Sequence, residues 1–453
     1  MRRGYLSLLE NLAQTLGAVA PSGTMSVTIP LLMLSAANGT WLLLLITLSI
    51  FLLIMLSVMR FAALHAAAGS LATYSQLGWG VRGGLLGGWI YLLGIAFCVP
   101  SALFASASYV DLLLVPTFGA GGPLRLSILT ALLTIGAWLA AHRDVKLSTN
   151  LMLAIECGSV TVMVLLLIAG MFHARAWIDP AQLRLTGVHF GGLQGGLVLA
   201  FMLMAGFEGT TSLGEESRDP QITVPRAICR CMLPLTALYL LLSYCLVSLQ
   251  NHGVIAPQEN GLTVPFVSIA HSIHWPWLGP LSSLGVALSF FACGLASLTV
   301  ASRVLFSMAR DGHLAQRLAR VHPRNATPSR AIALVCIFSI IVPIVMVSAG
   351  AQLSVSINVL SQLGSLGLIG AYLVVVLALP RYLHREGMLR RSDVVLAGLA
   401  AAMLLIVLEL SVYPPPAAPY DYLPYIFLTC LAAGVLLSGT RWLAPSSARP
   451  NPN

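Results

Sequence analysis

From Asn11 to Met59, and again from Ala331 to Pro380, the chain carries no charged residue. Each run is more than twice the roughly 20 apolar residues that a helix needs to cross a bilayer core. Lipid offers backbone N–H and C=O groups no partner, so such runs are viable there only as helices that satisfy themselves. The rest of the sequence agrees: 9% of residues are charged and 58% hydrophobic, against about 25% charged in soluble domains. The expected fold class is therefore all-α, a polytopic membrane protein.

The first run breaks at Ser35–Gly39 into two spans, and the second turns near 348–352 into two more. Further spans are expected at Gly83–Val110, Leu126–Ala141, Leu147–Phe172, Phe190–Leu213, Cys231–Gln250, Trp275–Ser302, Val394–Tyr413 and Tyr422–Thr440, about twelve in all. Residues 61–80 are apolar but too broken to span, and are read as lying at the inner surface or dipping in. An outer loop, Asn251–His274, is expected to hold a short helix from Val264. With the N-terminus in the cytoplasm, the outer segments hold only Arg125, Arg175 and Arg184, while the other arginines and the single lysine, Lys146, fall inside. Both termini are then cytoplasmic, and the arginine-rich, lysine-poor composition suggests a bacterial plasma membrane.

The net charge of +9 does not imply nucleic acid, because the arginines are scattered over short loops and form no patch with aromatics. The eight cysteines form no CxxC pair, and no histidines show metal-ligand spacing with a carboxylate. No metal or cofactor is expected. A membrane enzyme would need a polar constellation at one face, and none is found.

Two spans carry breakers near their middles. The first has Ala20-Pro21-Ser22-Gly23-Thr24, where proline removes a helix hydrogen bond and pushes Ala20 out of the α region. The sixth has Ala205-Gly206-Phe207-Glu208-Gly209, which sets an acid inside the membrane. Non-helical backbone at that depth is tolerated only where it lines a cavity or is buried in protein, and paired interrupted spans point to a transporter site.

Three stretches carry a resemblance that covers nearly the whole chain: GFEGTTSLGEESRDPQITVPRAI after the sixth span, AGSLATYSQLGWGVRGGLLGGW between spans two and three, and SRVLFSMARDGHLAQRLARVHPRNATPSRAI after span eight. On these motifs the sequence resembles the amino acid–polyamine–organocation superfamily of permeases. The resemblance implies a five-plus-five inverted repeat of the leucine-transporter kind, with a core at 1–380, repeats at 11–172 and 190–380, and two extra helices with a short tail at 381–453. It also implies alternating access and an amino acid or related amine as substrate. In the motif Pro21, Ser22, Gly23 and Thr24, the last three would offer amides to the substrate carboxylate, with Pro21 opening the break. Ala205 and Gly206 would offer carbonyls to the ammonium. Phe201, Met202 and Phe207 would border the side-chain pocket, with Met202 standing where some relatives have a large aromatic. Many proton-coupled relatives carry a lysine in the fifth span, where this chain has Glu156.

Several candidates admit two readings. Glu208 is either a proton carrier or a cap for the lower half-helix. Glu156 either takes the lysine's role or is a strut to the first span. Ser297 and Thr299 either supply sodium ligands or pack helices. Arg303 either pairs with an acid at the inner gate or snorkels to the surface. Residues 215–219 are expected to form a cytoplasmic loop with local ion pairs. The chain is thus expected to be a secondary transporter of an amino acid or related amine. Proton coupling is the first choice, ion-independent exchange the second and sodium the third. A non-transporting amino acid sensor is the alternative of another class.

Overall fold

The structure is a computed structural model that describes residues 4–438, apart from 120, 143–144, 256–264, 323–324, 326, 414 and 417. The C-terminal tail, the start of the expected loop helix at Val264 and several loop arginines lie outside the described residues. The described residues form helices joined by turns and loops. In order, α1 (Leu8–Val19), α2 (Pro21–Gly23), α3 (Ile29–Ala36), α4 (Thr40–Leu64) and α5 (Leu71–Phe118) come first. Then follow α6 (Pro123–His142), α7 (Val145–Ala174), the short α8 (Pro180–Leu183) and α9 (Phe190–Ala200). After these come α10 (Pro220–Asn251), the short α11 (Pro265–Ser272), α12 (Leu278–Arg310), α13 (Ser329–Ser348), α14 (Leu353–Arg385), α15 (Arg391–Leu410) and α16 (Leu423–Leu437).

Among the described residues, 10 helical runs are long and apolar enough to cross a membrane. The first, Leu8–Leu64, takes in two expected spans, because the Ala37–Gly39 break is a single 3-10 turn between helices. The expected sixth span is not among them, because α9 lasts 11 residues before the backbone changes conformation. A second departure lies at 61–80. Helix α5 begins at Leu71, twelve residues before the expected start at Gly83, and Gly80 bends it with φ 76°. The segment before the bend buries Leu71, Ala72, Tyr74 and Ser75.

Lipid tails are as apolar as leucine, so close fit and interhelical hydrogen bonds, more than the hydrophobic effect, join such helices. One close fit brings α5 against α14. A Cβ on Gly94 would lie 2.9 Å from the Gly367 carbonyl carbon, and one on Gly367 would lie 2.5 Å from the Gly94 Cα. Only glycine permits that approach. Helices α5, α12 and α14 make one packed group, while α1, α4, the segment 207–216 and α10 pack on one another. Leu132, Leu165, Leu241, Val345 and Leu428 are more than half exposed, an apolar exterior that suits lipid.

At the arginine-rich face the chain start is tied to the end of the sixth-span segment. The Tyr5 and Leu6 N–H groups donate to the Glu216 carbonyl at 2.8 and 3.0 Å, and the Arg218 N–H donates to the Leu6 carbonyl at 2.8 Å. Leu6 and Ser217 thereby form a parallel β-bridge. Helix α1 starts from a local capping box, in which Glu10 accepts from the Ser7 N–H at 2.8 Å and the Ser7 side chain accepts from the Leu9 N–H at 3.3 Å.

Candidate functional site

The first break follows from Ala20 and Pro21. Ala20 adopts the left-handed region (φ 49°, ψ 65°), and Pro21 opens the next helical turn. A short π-helical stretch, Thr24–Thr28, carries the chain into α3. Each backbone donor here has a partner. The Ala20 N–H donates to the Leu16 and Gly17 carbonyls at 3.2 and 3.3 Å, and the Thr24 N–H to the Ala20 carbonyl at 2.9 Å. Pro21 has no N–H. The Ser22 N–H and hydroxyl both donate to Glu156 Oε2, at 3.5 and 3.2 Å. The Gly23 N–H donates to Ser289 Oγ at 3.2 Å. Glu156 comes from α7 and is fully buried, and its Oε1 has no protein partner.

The second break is built differently. After α9 the backbone tightens to a 3-10 turn over Phe201–Leu203, reaches Gly206 at φ 96°, and leaves as a 3-10 segment over Phe207–Glu216. Glycine is the residue for that positive φ, because a Cβ there would be strained and would also meet the Ala18 carbonyl oxygen at 3.2 Å. Glu208 is fully buried. Tyr372 of α14 donates its hydroxyl to Glu208 Oε2 at 2.5 Å and accepts from the Gly206 N–H at 3.3 Å. Glu208 Oε1 has no protein partner within hydrogen-bonding geometry. Nearby, Ser70 donates to the Tyr91 hydroxyl at 3.2 Å and shares a 2.5 Å bond with Thr211. Phe51, Phe201, Phe207 and Tyr372 form one aromatic cluster, with Phe207 stacked on Tyr372 at 5.7 Å.

A cavity of about 110 Å³ touches both breaks. Ala20 and Thr24 line it from the first, Met202, Ala205 and Gly206 from the second, and Phe290, Cys293 and Ser297 from α12. No charged side chain lines it. Of the residues the sequence put forward for this site, Thr24, Met202, Ala205, Gly206 and Ser297 meet at the cavity. Pro21, Ser22, Gly23, Phe201 and Phe207 stand behind it. Ser22 and Gly23 turn their amides toward α7 and α12, and Phe201 and Phe207 join the aromatic cluster. Thr299 is buried, and its carbonyl accepts from Ser302 and Arg303.

Arg303 does pair with an acid. It reaches both Glu216 carboxylate oxygens, at 3.0 and 3.2 Å, and both side chains are buried. Arg310 likewise takes Glu215 with two bonds, at 3.0 and 2.9 Å. These bonds correct the expected local pairing within 215–219: the two glutamates pair with α12, which passes beside their segment. Sequence reasoning missed Glu216, Tyr372, Tyr91 and Ser289. The usable signal was a tyrosine alone in an uncharged span, since a buried phenol needs a partner, with Glu208 and Glu156 as the acids set within spans.

Comparison with known proteins supports a family assignment. The amino acid permease family model matches residues 11–413. An uncharacterized transporter of Mycobacterium tuberculosis is 29% identical over 332 residues, covering 73% of this chain and 71% of that one. A branched-chain amino acid permease of Bacillus subtilis is 28% identical over 244 residues, 52% of this chain and 48% of that one. A methylthioribose transporter of Bacillus subtilis is 24% identical over 334 residues, 70% of this chain and 68% of that one. The chain belongs to the amino acid permease family, and it is a multi-pass membrane transporter.

Proposed function

We propose that the chain moves an amino acid or related amine across a bacterial plasma membrane by alternating access, driven by protons. The single observation that carries this reading is one cavity touching both interrupted spans, Ala20–Thr24 and Met202–Gly206. The reading includes twelve spans in a five-plus-five repeat with two added helices, and cytoplasmic termini. The group α1, α4, 207–216 and α10 rocks against α5, α12 and α14.

Proton coupling is supported by Glu208. It lies in the break itself, fully buried, with one oxygen held by Tyr372 and the other without a protein partner. A buried acid inside a span is a functional candidate by default. The test is uptake of labelled amino acids and amines into proteoliposomes with and without an inward proton gradient. Gradient-stimulated uptake that Glu208→Gln abolishes is expected. Uptake that needs preloaded substrate, ignores the gradient and survives Glu208→Gln would establish the second reading, ion-independent exchange. The Tyr372 bond favours that reading, because it gives Glu208 a structural role.

A further inference from the structure

We infer that the cavity between the two breaks draws its solvent through a water-holding polar site on α14, walled by the ends of α15 and α16, on the side away from the arginine-rich face. The site is distinct from that cavity, and its role as an access route rests on the transporter reading above.

The argument starts from one face of a helix. Asn358, Ser361, Gln362 and Ser365 follow one another at helical spacing and so share a face of α14. They lie roughly 8–18 Å along the helix from its start, in the half remote from Arg381 and Arg385. All four line a second cavity, of about 50 Å³, together with Met202, Ser411 at the end of α15 and Leu423 at the start of α16. Ser361 and Met202 line the first cavity as well. The two cavities are therefore neighbours, parted by one hydroxyl and one flexible thioether.

The protein gives these polar groups no partners. Ser365 is buried, and its Oγ has no hydrogen bond. Among the described residues, none hydrogen-bonds to the side chains of Asn358, Ser361 or Gln362. Polar groups unpaired at this depth are costly, and buried groups of this kind are satisfied by ordered water. A water needs roughly 10–15 Å³ and two to four polar partners, so the second cavity has room for a few and the groups to hold them. Direction follows from the two ends. The arginine-rich face is closed by the buried Arg303–Glu216 pair and the Leu6–Ser217 bridge, whereas Tyr420, which also lines the second cavity, is only half-buried. A polar solute that enters the first cavity gives up its hydration shell, and water held next door lowers the cost of that exchange.

The test compares two variants of one shape. Valine and threonine differ by a hydroxyl, so Ser361→Val/Ser365→Val and Ser361→Thr/Ser365→Thr crowd the site equally and only the second keeps its polarity. Radiolytic hydroxyl-radical footprinting of the purified full chain reads bound water. Leu366 and Leu423 line the second cavity and are expected to be oxidised, while the comparably buried Leu360 and Leu363 do not line it and are expected to stay unlabelled. Labelling should be lost in the valine variant and kept in the threonine variant. Uptake of labelled amino acids and amines into proteoliposomes should fall at least about 10-fold in the valine variant and recover in the threonine variant. The wild-type footprint stands even if a variant misfolds. Wild-type protein in which Leu366 and Leu423 label no more than Leu360 and Leu363 would overturn the water site. Equal uptake by the two variants would overturn the access role and leave transport intact. The expected labelling with no uptake of any compound by wild-type protein would instead overturn the transport reading and keep the site.

Discussion

The two interrupted spans meet one cavity, yet they solve the same backbone problem in opposite ways. The first break forces an alanine into the left-handed region and satisfies its exposed donors from other helices, through Glu156 and Ser289. The second spends a glycine on the left-handed turn and carries its acid within itself, at Glu208, with α14 supplying the partner. The helical segments leading away differ as well. Helix α1 begins with a capping box made by its own neighbours, whereas the segment 207–216 is anchored by ion pairs to α12. The difference teaches that the first break is conditioned by its surroundings, while the second is written into its own local sequence and held by long-range charge.

That contrast can be broken by mutation, and the largest effect is expected at the anchor. Arg303→Ala leaves Glu216 buried without its counter-charge and should destabilise the protein by about 3–5 kcal/mol. Thermal unfolding in detergent would show it, and Arg303→Met with Glu216→Leu should recover most of the loss. If Arg303→Ala unfolds at the wild-type temperature, the ion pair is not an anchor.

Next comes the turn of the second break. Gly206→Ala puts a side chain in the left-handed region at about 1–2 kcal/mol, before the 3.2 Å approach to the Ala18 carbonyl is counted. Uptake should fall at least about 10-fold through that loss of geometry. The mirror experiment, Ala20→Gly, should run the other way and raise stability by up to about 1 kcal/mol as the strain at φ 49° is relieved. The same sign for both substitutions would show that the two breaks are not conformational counterparts. The smallest effect is expected at Arg310, whose pair with Glu215 is partly exposed. Arg310→Ala should cost less than about 1 kcal/mol, and less still in high salt. A salt-insensitive loss larger than that would extend the buried anchor outward.

Much of this was legible in one dimension. The uncharged runs announce helices in lipid, and Pro21 and Gly206 announce breaks, because both signals depend on near neighbours. Assigning Glu156 to a strut or a coupling role was not legible, and neither was the fate of the Ser22 amide. The bond between those residues joins chain positions 134 apart, and no periodicity encodes which faces of α1 and α7 meet. The Glu208–Tyr372 bond spans 164 positions and the Arg303–Glu216 pair 87. Tyr372 sits in a run whose apolar pattern is identical whether the phenol faces lipid or an acid. The helical state of residues 71–79, before the kink at Gly80, was not legible for a related reason. Residues 71–79 are too short and too interrupted to span, but they form a helix because neighbouring helices cover them.

The short parallel bridge between Leu6 and Ser217 has a mechanical meaning. It joins the start of α1 to the end of the segment 207–216 through three backbone hydrogen bonds, so a torque applied to one arm is delivered to the other without slack. In the rocking motion proposed above, the two segments flanking Ala20 and Gly206 would then move together, and the ion pairs of Arg303 and Arg310 to Glu216 and Glu215 would tie them to α12.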